Sequence, residues 1–507
     1  MKVEKYTKNS FAGAVTNAYT PKKIIQEKNQ FKFLHEYLTS SELAVKTIVI
    51  EDNYISKDFL DGHASYYSYC FENYPNVCKR VHFFRNEFDE KTFQNQILEK
   101  NDDFWEDYLG FVVVKPIPIT VIGFTVLKTY SNHGSLRSFW GTRDYLVHLF
   151  GIEININSLA FQEQDTVIAA CATTAIWSML NKASLDFHTI LKTPSQITRD
   201  ADNVSPDGSR LFPNKGLSLL QICQSIVNSG LVSEVKKGDV YKDKIFKNVI
   251  SGEYLQKILN AYSPIGIPII LVVLVPNGKS YGAHAITISG FKQEPLTTER
   301  PKDDITWHAK NIIKLYAHDD QWGPFARVTF KNKMEFLTHW TKNDTKTPKR
   351  PTIVKNIIVP VYPKIRISYE EIEVIVLGID IMLRVFFKNK IVSDVVWDIK
   401  LDYSEKAKTR IRTSAITDEA KINRLTKSFP KYIWIAKCYI ADQLIMEFVF
   451  DATGVNNAML GLDVVCYLPY RKMKILKKFL INNRTLFEPL IKRRDYSSYY
   501  DFIVDSL

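Results

Sequence analysis

The chain has 507 residues, 45% of them hydrophobic and 24% charged, which excludes wholesale disorder and implies two to four domains rather than one core. Its formal charge of +12 is spread over a large surface, so it favours anionic partners weakly and marks no domain as purely basic. Six cysteines without a CxxC pair exclude a dense disulfide framework and a closely spaced zinc knot, and read as reduced thiols.

The opening residues, MKVEKYTKNSFAGAVTN, lack the apolar core of a signal peptide. The longest apolar run, 265–275, is interrupted by Gly266 and Pro268 and is too short to span a bilayer. The expectation is therefore a cytoplasmic protein without membrane association. Residues 1–154 read as a mixed α/β domain. Within it, 31–48 suits a helix, 57–84 is aromatic-rich and predicts a helix, and 110–130 carries two β-branched runs around Pro116 and Pro118 that predict a hairpin or strand pair. His63 and His82 stand alone and read as packing or surface residues.

From Ser158 the pattern changes. A polar lead-in, FQEQDTVIAA, precedes CATTAIWSMLNKA, whose apolar residues Ala172, Ile176, Met179 and Leu180 recur at helical spacing. After the Gly/Pro/Asp-rich stretch 205–216, LSLLQICQSIVNSGL predicts an amphipathic helix with Ser218 as its cap and Gly230 as its stop. Three apolar strands follow, IPIILVVLV, HAITISGF and NIIKLYAHDD. Helices first and a sheet afterwards is an α+β order, not a βαβ repeat. The polar, basic, proline-bearing stretch 340–352 reads as a boundary. Beyond it, 350–507 reads as a C-terminal α+β domain. Strands are expected over 365–379 and 382–387, then come the aromatic segment FPKYIWIAKCYI and LIMEFVFDAT, followed by a basic helix over 471–481 and a KRRD cluster at 492–495.

Three segments of the central region carry chemistry. Cys171 opens a predicted helix, where unpaired N–H groups and the positive end of the macrodipole favour a thiolate. Alone it reads as a small buried hydrophobe, the usual fate of a free cysteine. His284 lies between small residues in YGAHAITISG, on a predicted strand, where it can take a thiol proton and return it to a leaving group. Asp319 or Asp320, in LYAHDDQWGPFAR, can orient that imidazole; alternation places the two on opposite faces, and both compete for the role. His318 is expected to face away from the site. His308 and the carboxylates of EFVFDAT are set aside as ordinary strand-end residues.

The order cysteine at a helix start, histidine on a strand and aspartate on the next resembles the papain-like superfamily, and within it the C39-type and C39-like peptidases. The resemblance runs over roughly 155–335 through Gln164, Cys171, the helix GLSLLQICQSIVNSGL, His284 and Asp319. It implies a helix packed on an antiparallel sheet in a domain spanning 155–340. It also implies a Cys171–His284–Asp319 triad acting through a thioester, with Gln164 donating to the oxyanion and Gln162 as the substitute. The chain departs from the family in Cys171-Ala172-Thr173, where Cys-Gly-Pro is usual, and in Asp319-Asp320, where Asp-Pro is usual. The spacing from Gln164 to Cys171 is also one residue longer than the commonest. The flanks resemble segments of bacterial proteins that bring no activity with them.

The implied activity is hydrolysis of a protein or peptide substrate, as a protease or isopeptidase, with a regulatory partner protein and no cofactor or metal. The same thiol chemistry serves a transglutaminase-like acyl transferase, and the fold alone serves an inactive binding scaffold. The basic runs 471–478 and 492–494, with Tyr499 and Tyr500 nearby, keep nucleic acid as a weaker partner expectation. No P-loop, GxGxxG or HExxH pattern occurs, so nucleotide and zincin chemistry have no support in the sequence.

Overall fold

A computed structural model of the chain describes residues 1–99, 102–165, 167–168, 170–187, 189–202, 216–238, 248–295, 304–388, 391, 393–414, 416–454, 459–491 and 497–507. Of the Gly/Pro/Asp-rich stretch singled out above, 205–215 lie outside them, as does the KRRD cluster. The protein is mixed α and β, with sheets that are largely antiparallel. Among the described residues, no helix is long and apolar enough to cross a membrane.

The chain divides into two compact units. The first comprises 1–252, 266–292 and 314–361; the second comprises 253–265, 293–313 and 362–507. The first unit opens with a five-stranded sheet in simple chain order, Lys2–Lys5, Thr47–Tyr54, Cys78–Phe84, Tyr108–Val114 and Ile122–Leu127. The last two form the expected hairpin, with Val112 opposite Thr125. The helix expected over 31–48 is Asn29–Thr39; the chain then turns through Ala44, at φ 51°, and becomes a strand at Thr47. The helix expected over 57–84 ends at Ser65, and Cys78–Phe84 is a strand. That strand is buried almost throughout, so it lacks the alternation that would reveal it in the sequence.

The central sheet follows. Helix α1 (Cys171–Phe187) and helix α2 (Leu219–Val227) precede strands β1 (Val232–Lys237), β2 (Ile269–Asn277), β3 (Ser280–Gln293), β4 (Ile312–Asp319), β5 (Gly323–Phe330) and β6 (Phe336–Leu337). A one-turn helix, α3 (His339–Lys342), and strand β7 (Ile353–Val361) complete it. The strand order is β6-β5-β4-β3-β2-β7-β1, with the two-residue strand Arg137–Ser138 paired to β3. Helix α2 starts at the expected Ser218, whose side chain and that of Gln221 form a capping box, and Gly230 beyond it takes φ 93°. Helix α1 is tied to the sheet where the Thr287 hydroxyl on β3 donates to the Ala175 carbonyl, 2.9 Å.

The boundary expected at 154 does not divide this unit. Phe31, Leu34, Tyr37 and Ile48 share one buried cluster with Tyr316, Trp322 and Phe325, so the N-terminal segment supplies part of the core beneath the central sheet. The boundary expected within 340–352 moves to 361, because β7 lies between β2 and β1 in the same sheet. Loop-like composition at 340–352 marks a surface excursion and not a change of core.

In the second unit, helix α4 (Tyr369–Phe387) replaces the strands expected over 365–387. Its buried residues Ile372, Ile375, Val376, Ile379, Met382, Leu383 and Phe386 fall three and four apart, and Ser368 with Glu371 forms its capping box. The β-branched content there favours strands locally, but packing of an apolar face decides. The aromatic segment is the strand Tyr432–Ile440, which pairs with Gln443–Asp451, between Val395–Tyr403 and Gly461–Cys466. The expected basic helix is Tyr470–Asn482, with Leu476 and Leu480 buried and Arg471, Lys472, Lys474 and Lys478 exposed.

Candidate functional site

The chain entering α1 is held by side chains from three places. Asp165 accepts the Tyr67 hydroxyl at 2.6 Å on Oδ2 and the N–H groups of Val167 and Ile168 at 2.9 and 3.3 Å on Oδ1. The Thr198 hydroxyl donates to the Ile168 carbonyl, 2.7 Å. Cys171 then begins the helix, half-buried, with its own carbonyl accepting the Thr174 hydroxyl at 2.8 Å. From Ala172 through Asn181 every residue is buried, so α1 shows little amphipathic contrast. Its first turn nevertheless leaves Cys171 only half-buried, at the positive end of the helix macrodipole.

His284 is on β3, opposite Val273 of β2, and is buried. Its Nε2 lies 2.8 Å from Asp319 Oδ1 and 3.4 Å from Asp320 Oδ1. With Nε2 taken by carboxylates, Nδ1 is the ring nitrogen left for Cys171, whose side chain interacts with the imidazole. Burial by itself would lower the pKa of His284. Asp319, then Asp320, together with the direct contacts to Asp319 and Cys171, outweigh it and hold the pKa well above the ordinary value. Asp320 responds oppositely for a carboxyl: burial and the charge of Asp319 push it up to about 7, against the pull of His284.

The two aspartates do not face opposite ways. Strand β4 ends at Asp319 with a register shift between Ala317 and Asp319, and the chain turns at once, Trp322 N–H reaching the Asp319 carbonyl at 2.9 Å. Alternation lapses where the ladder ends, and both carboxylates reach His284. Asp319 is the better-held of the two. Its Oδ1 accepts from His284 and from the Gln321 N–H (3.1 Å), and its Oδ2 accepts the Trp340 indole N–H at 2.9 Å.

Trp340, on α3, is the residue that the sequence reading missed, since it lies in the stretch taken for a boundary. Besides holding Asp319, its ring meets the His284 ring edge-on, with centroids 5.3 Å apart and planes at 62°. An aromatic inside a polar loop was the available signal. The N-terminal segment also reaches this corner. Gln30 Nε2 donates to the Asp320 carbonyl at 3.1 Å, and a Cβ on Gly323 would lie 2.2 Å from Phe33 Cδ1, so the turn after Asp320 presses directly on that ring.

Other expected positions behave differently. Gln164 is half-buried in the lead-in, and among the described residues it makes no hydrogen bond to Cys171 or His284. Gln162 is buried, its Nε2 without a partner among the described residues, and lines a separate cavity of about 30 Å3 with Asp58, Phe59, Lys115 and Ile168. His318 is a core histidine: its Nε2 meets the Leu159 carbonyl at 2.9 Å, and burial pushes its pKa down to about 4. In the second unit His308 meets Gln293, while Glu447 pairs with Arg424 (2.8 Å) and Asp451 caps the Thr453 N–H (2.6 Å), so these carboxylates are structural.

A thiol at a helix start, an imidazole beside it and a carboxylate behind the imidazole can generate a nucleophile and return its proton. Set against family models and against the sequences of curated proteins, the chain matches none, so the chemistry of this site rests on its own geometry.

Proposed function

We propose that the protein is a cysteine-nucleophile hydrolase of papain-like, C39-like arrangement, acting on a protein or peptide substrate in the cytoplasm. The observation that carries this reading is the single imidazole of His284, which interacts with Cys171 at the start of α1 while its Nε2 is 2.8 Å from the triply held Asp319. In the proposed cycle the Cys171 thiol gives its proton to His284 and the thiolate attacks a carbonyl carbon. The oxyanion is met by the Cys171 backbone N–H, with Gln164 as the side-chain donor. His284 protonates the departing amine, and water, losing its proton to His284, releases the acyl group from the thioester. Asp319 keeps the ring in the tautomer and orientation that both transfers need. These steps use no cofactor.

A second reading, a binding scaffold that retains the arrangement without turnover, is favoured by Cys171-Ala172-Thr173 standing where Cys-Gly-Pro is usual in the family. Limiting iodoacetamide with mass-spectrometric readout across pH 5–9, in zinc-free buffer, separates the two. Burial raises the pKa of Cys78 (to about 12), Cys223, Cys438 and Cys466, so these thiols label slowly. The hydrolase reading expects Cys171 to label fastest at the acidic end and His284→Ala to abolish that advantage. A Cys171 no faster than Cys223 in the wild type refutes it and favours the scaffold.

A further inference from the structure

Asp320 is the carboxylate of this cluster that the proposed cycle leaves unused. It is 3% exposed, and among the described residues neither of its oxygens has a hydrogen-bond partner of good geometry, His284 Nε2 lying 3.4 Å from Oδ1. Its oxygens therefore keep lone pairs unused in a buried site beside His284, where a second cation could meet them. Nε2 of His284 and one oxygen each of Asp319 and Asp320 lie within 4.8 Å of one another. Tetrahedral zinc, with bonds of about 2.0–2.1 Å to nitrogen and oxygen, places its ligands about 3.4 Å apart. The His284–Asp320 separation of 3.4 Å already has that value, and the His284–Asp319 separation of 2.8 Å needs a small opening. A mixed nitrogen and carboxylate donor set suits zinc better than magnesium or calcium, which prefer oxygen alone.

We infer that His284, Asp319 and Asp320 form an inhibitory zinc site, the ion seating on His284 Nε2 in place of the proton now shared with the carboxylates. Binding releases that proton to solvent and leaves the remaining ring proton on Nδ1. With Nε2 on the metal, giving up the Nδ1 proton would leave a metal-bound imidazolate, so the ring no longer passes that proton to the departing amine and takes one back from water, and the acid–base cycle is switched off. The inhibitory consequence rests on the hydrolase reading; the metal site does not.

The test is a zinc titration of the chelator-stripped full-length chain at pH 7.5 against a chromophoric competitor, for wild type, Asp320→Asn and Cys171→Ala. One zinc per chain is expected, with affinity at least tenfold weaker in Asp320→Asn and unchanged in Cys171→Ala. Cobalt(II) titrated into the wild type is expected to show weak ligand-field bands without an intense thiolate-to-metal charge-transfer band. This readout decides the matter even if Asp320→Asn fails to fold. No bound zinc, equal affinity in Asp320→Asn, or a thiolate band that Cys171→Ala removes would each overturn the site. Metal binding is read without turnover, so its failure is distinct from a failure of the labelling test in zinc-free buffer.

Discussion

Replacing Trp340 by Phe isolates one hydrogen bond from the packing around it. Asp319 is 5% exposed and among the described residues has three donors: His284 and the Gln321 N–H on one oxygen, and the Trp340 indole alone on the other. Phenylalanine keeps a ring against the His284 edge at 5.3 Å but removes the indole N–H, leaving Oδ2 without a partner. A hydrogen bond to a buried charged group contributes about 1.5–3 kcal/mol, so a loss of about 2 kcal/mol is expected. Asp319 then turns more freely, and His284 holds its orientation less well.

The assay is urea unfolding at pH 7 followed by far-UV circular dichroism, because the substitution removes a tryptophan and makes fluorescence an unequal probe. The double cycle with Asp319→Ala supplies the control: Trp340→Phe is expected to cost little once the carboxylate is gone. A Trp340→Phe protein within about 0.5 kcal/mol of the wild type would refute the reasoning, as that is the ordinary scatter of surface substitutions. A cost that persists undiminished in the Asp319→Ala background would assign the effect to ring packing instead.

Three further outcomes follow from the same geometry. With chelator present, His284, its pKa held up, contributes stability that is complete below about pH 6.5 and is lost as pH rises through its folded value. Asp320, held protonated up to about 7, acts with the same sign, so the urea midpoint falls between pH 5 and 8. Asp320→Asn is expected to flatten the pH 5–7 part of that fall, and a slope unchanged by the variant would contradict the account. Gly323→Ala drives a methyl into Phe33 and is expected to cost about 1–3 kcal/mol, read by thermal unfolding; a neutral result would mean that the ring yields freely. Tyr67→Phe removes the hydroxyl that Asp165 accepts at 2.6 Å and is expected to cost about 1 kcal/mol and to alter the Cys171 labelling rate, since Asp165 also holds the backbone at 167–168. An unchanged labelling rate would separate that anchor from the thiol.

Residue type, local pattern and local punctuation are legible along a chain, and they were informative here. The helix at Cys171, the cap at Ser218, the hairpin around Pro116 and Pro118, and the order of the strands bearing His284 and Asp319 follow from spacing and from turn or cap chemistry within a few residues of each other. The pattern failed where burial removed it. Strand Cys78–Phe84 has no exposed face to alternate with, and in α4 the β-branched residues favour a strand while the burial of every third and fourth residue imposes a helix.

Contacts between distant segments belong to the tertiary structure alone. Trp340 reaches Asp319 across 21 residues, Gln30 reaches Asp320 across 290, and the cluster joining Phe31 to Phe325 makes one core of what reads as two domains. The meeting of both aspartates on His284 is of this kind as well. Alternation along a strand is a local rule that holds while the ladder continues, and β4 ends at Asp319, where the turn sets the direction of the next side chain. The sequence by itself determined which groups were available for chemistry and on which elements they lie. Which carboxylate is held, and what holds it, was decided by packing, because side-chain direction at a strand end depends on neighbours far away in the chain.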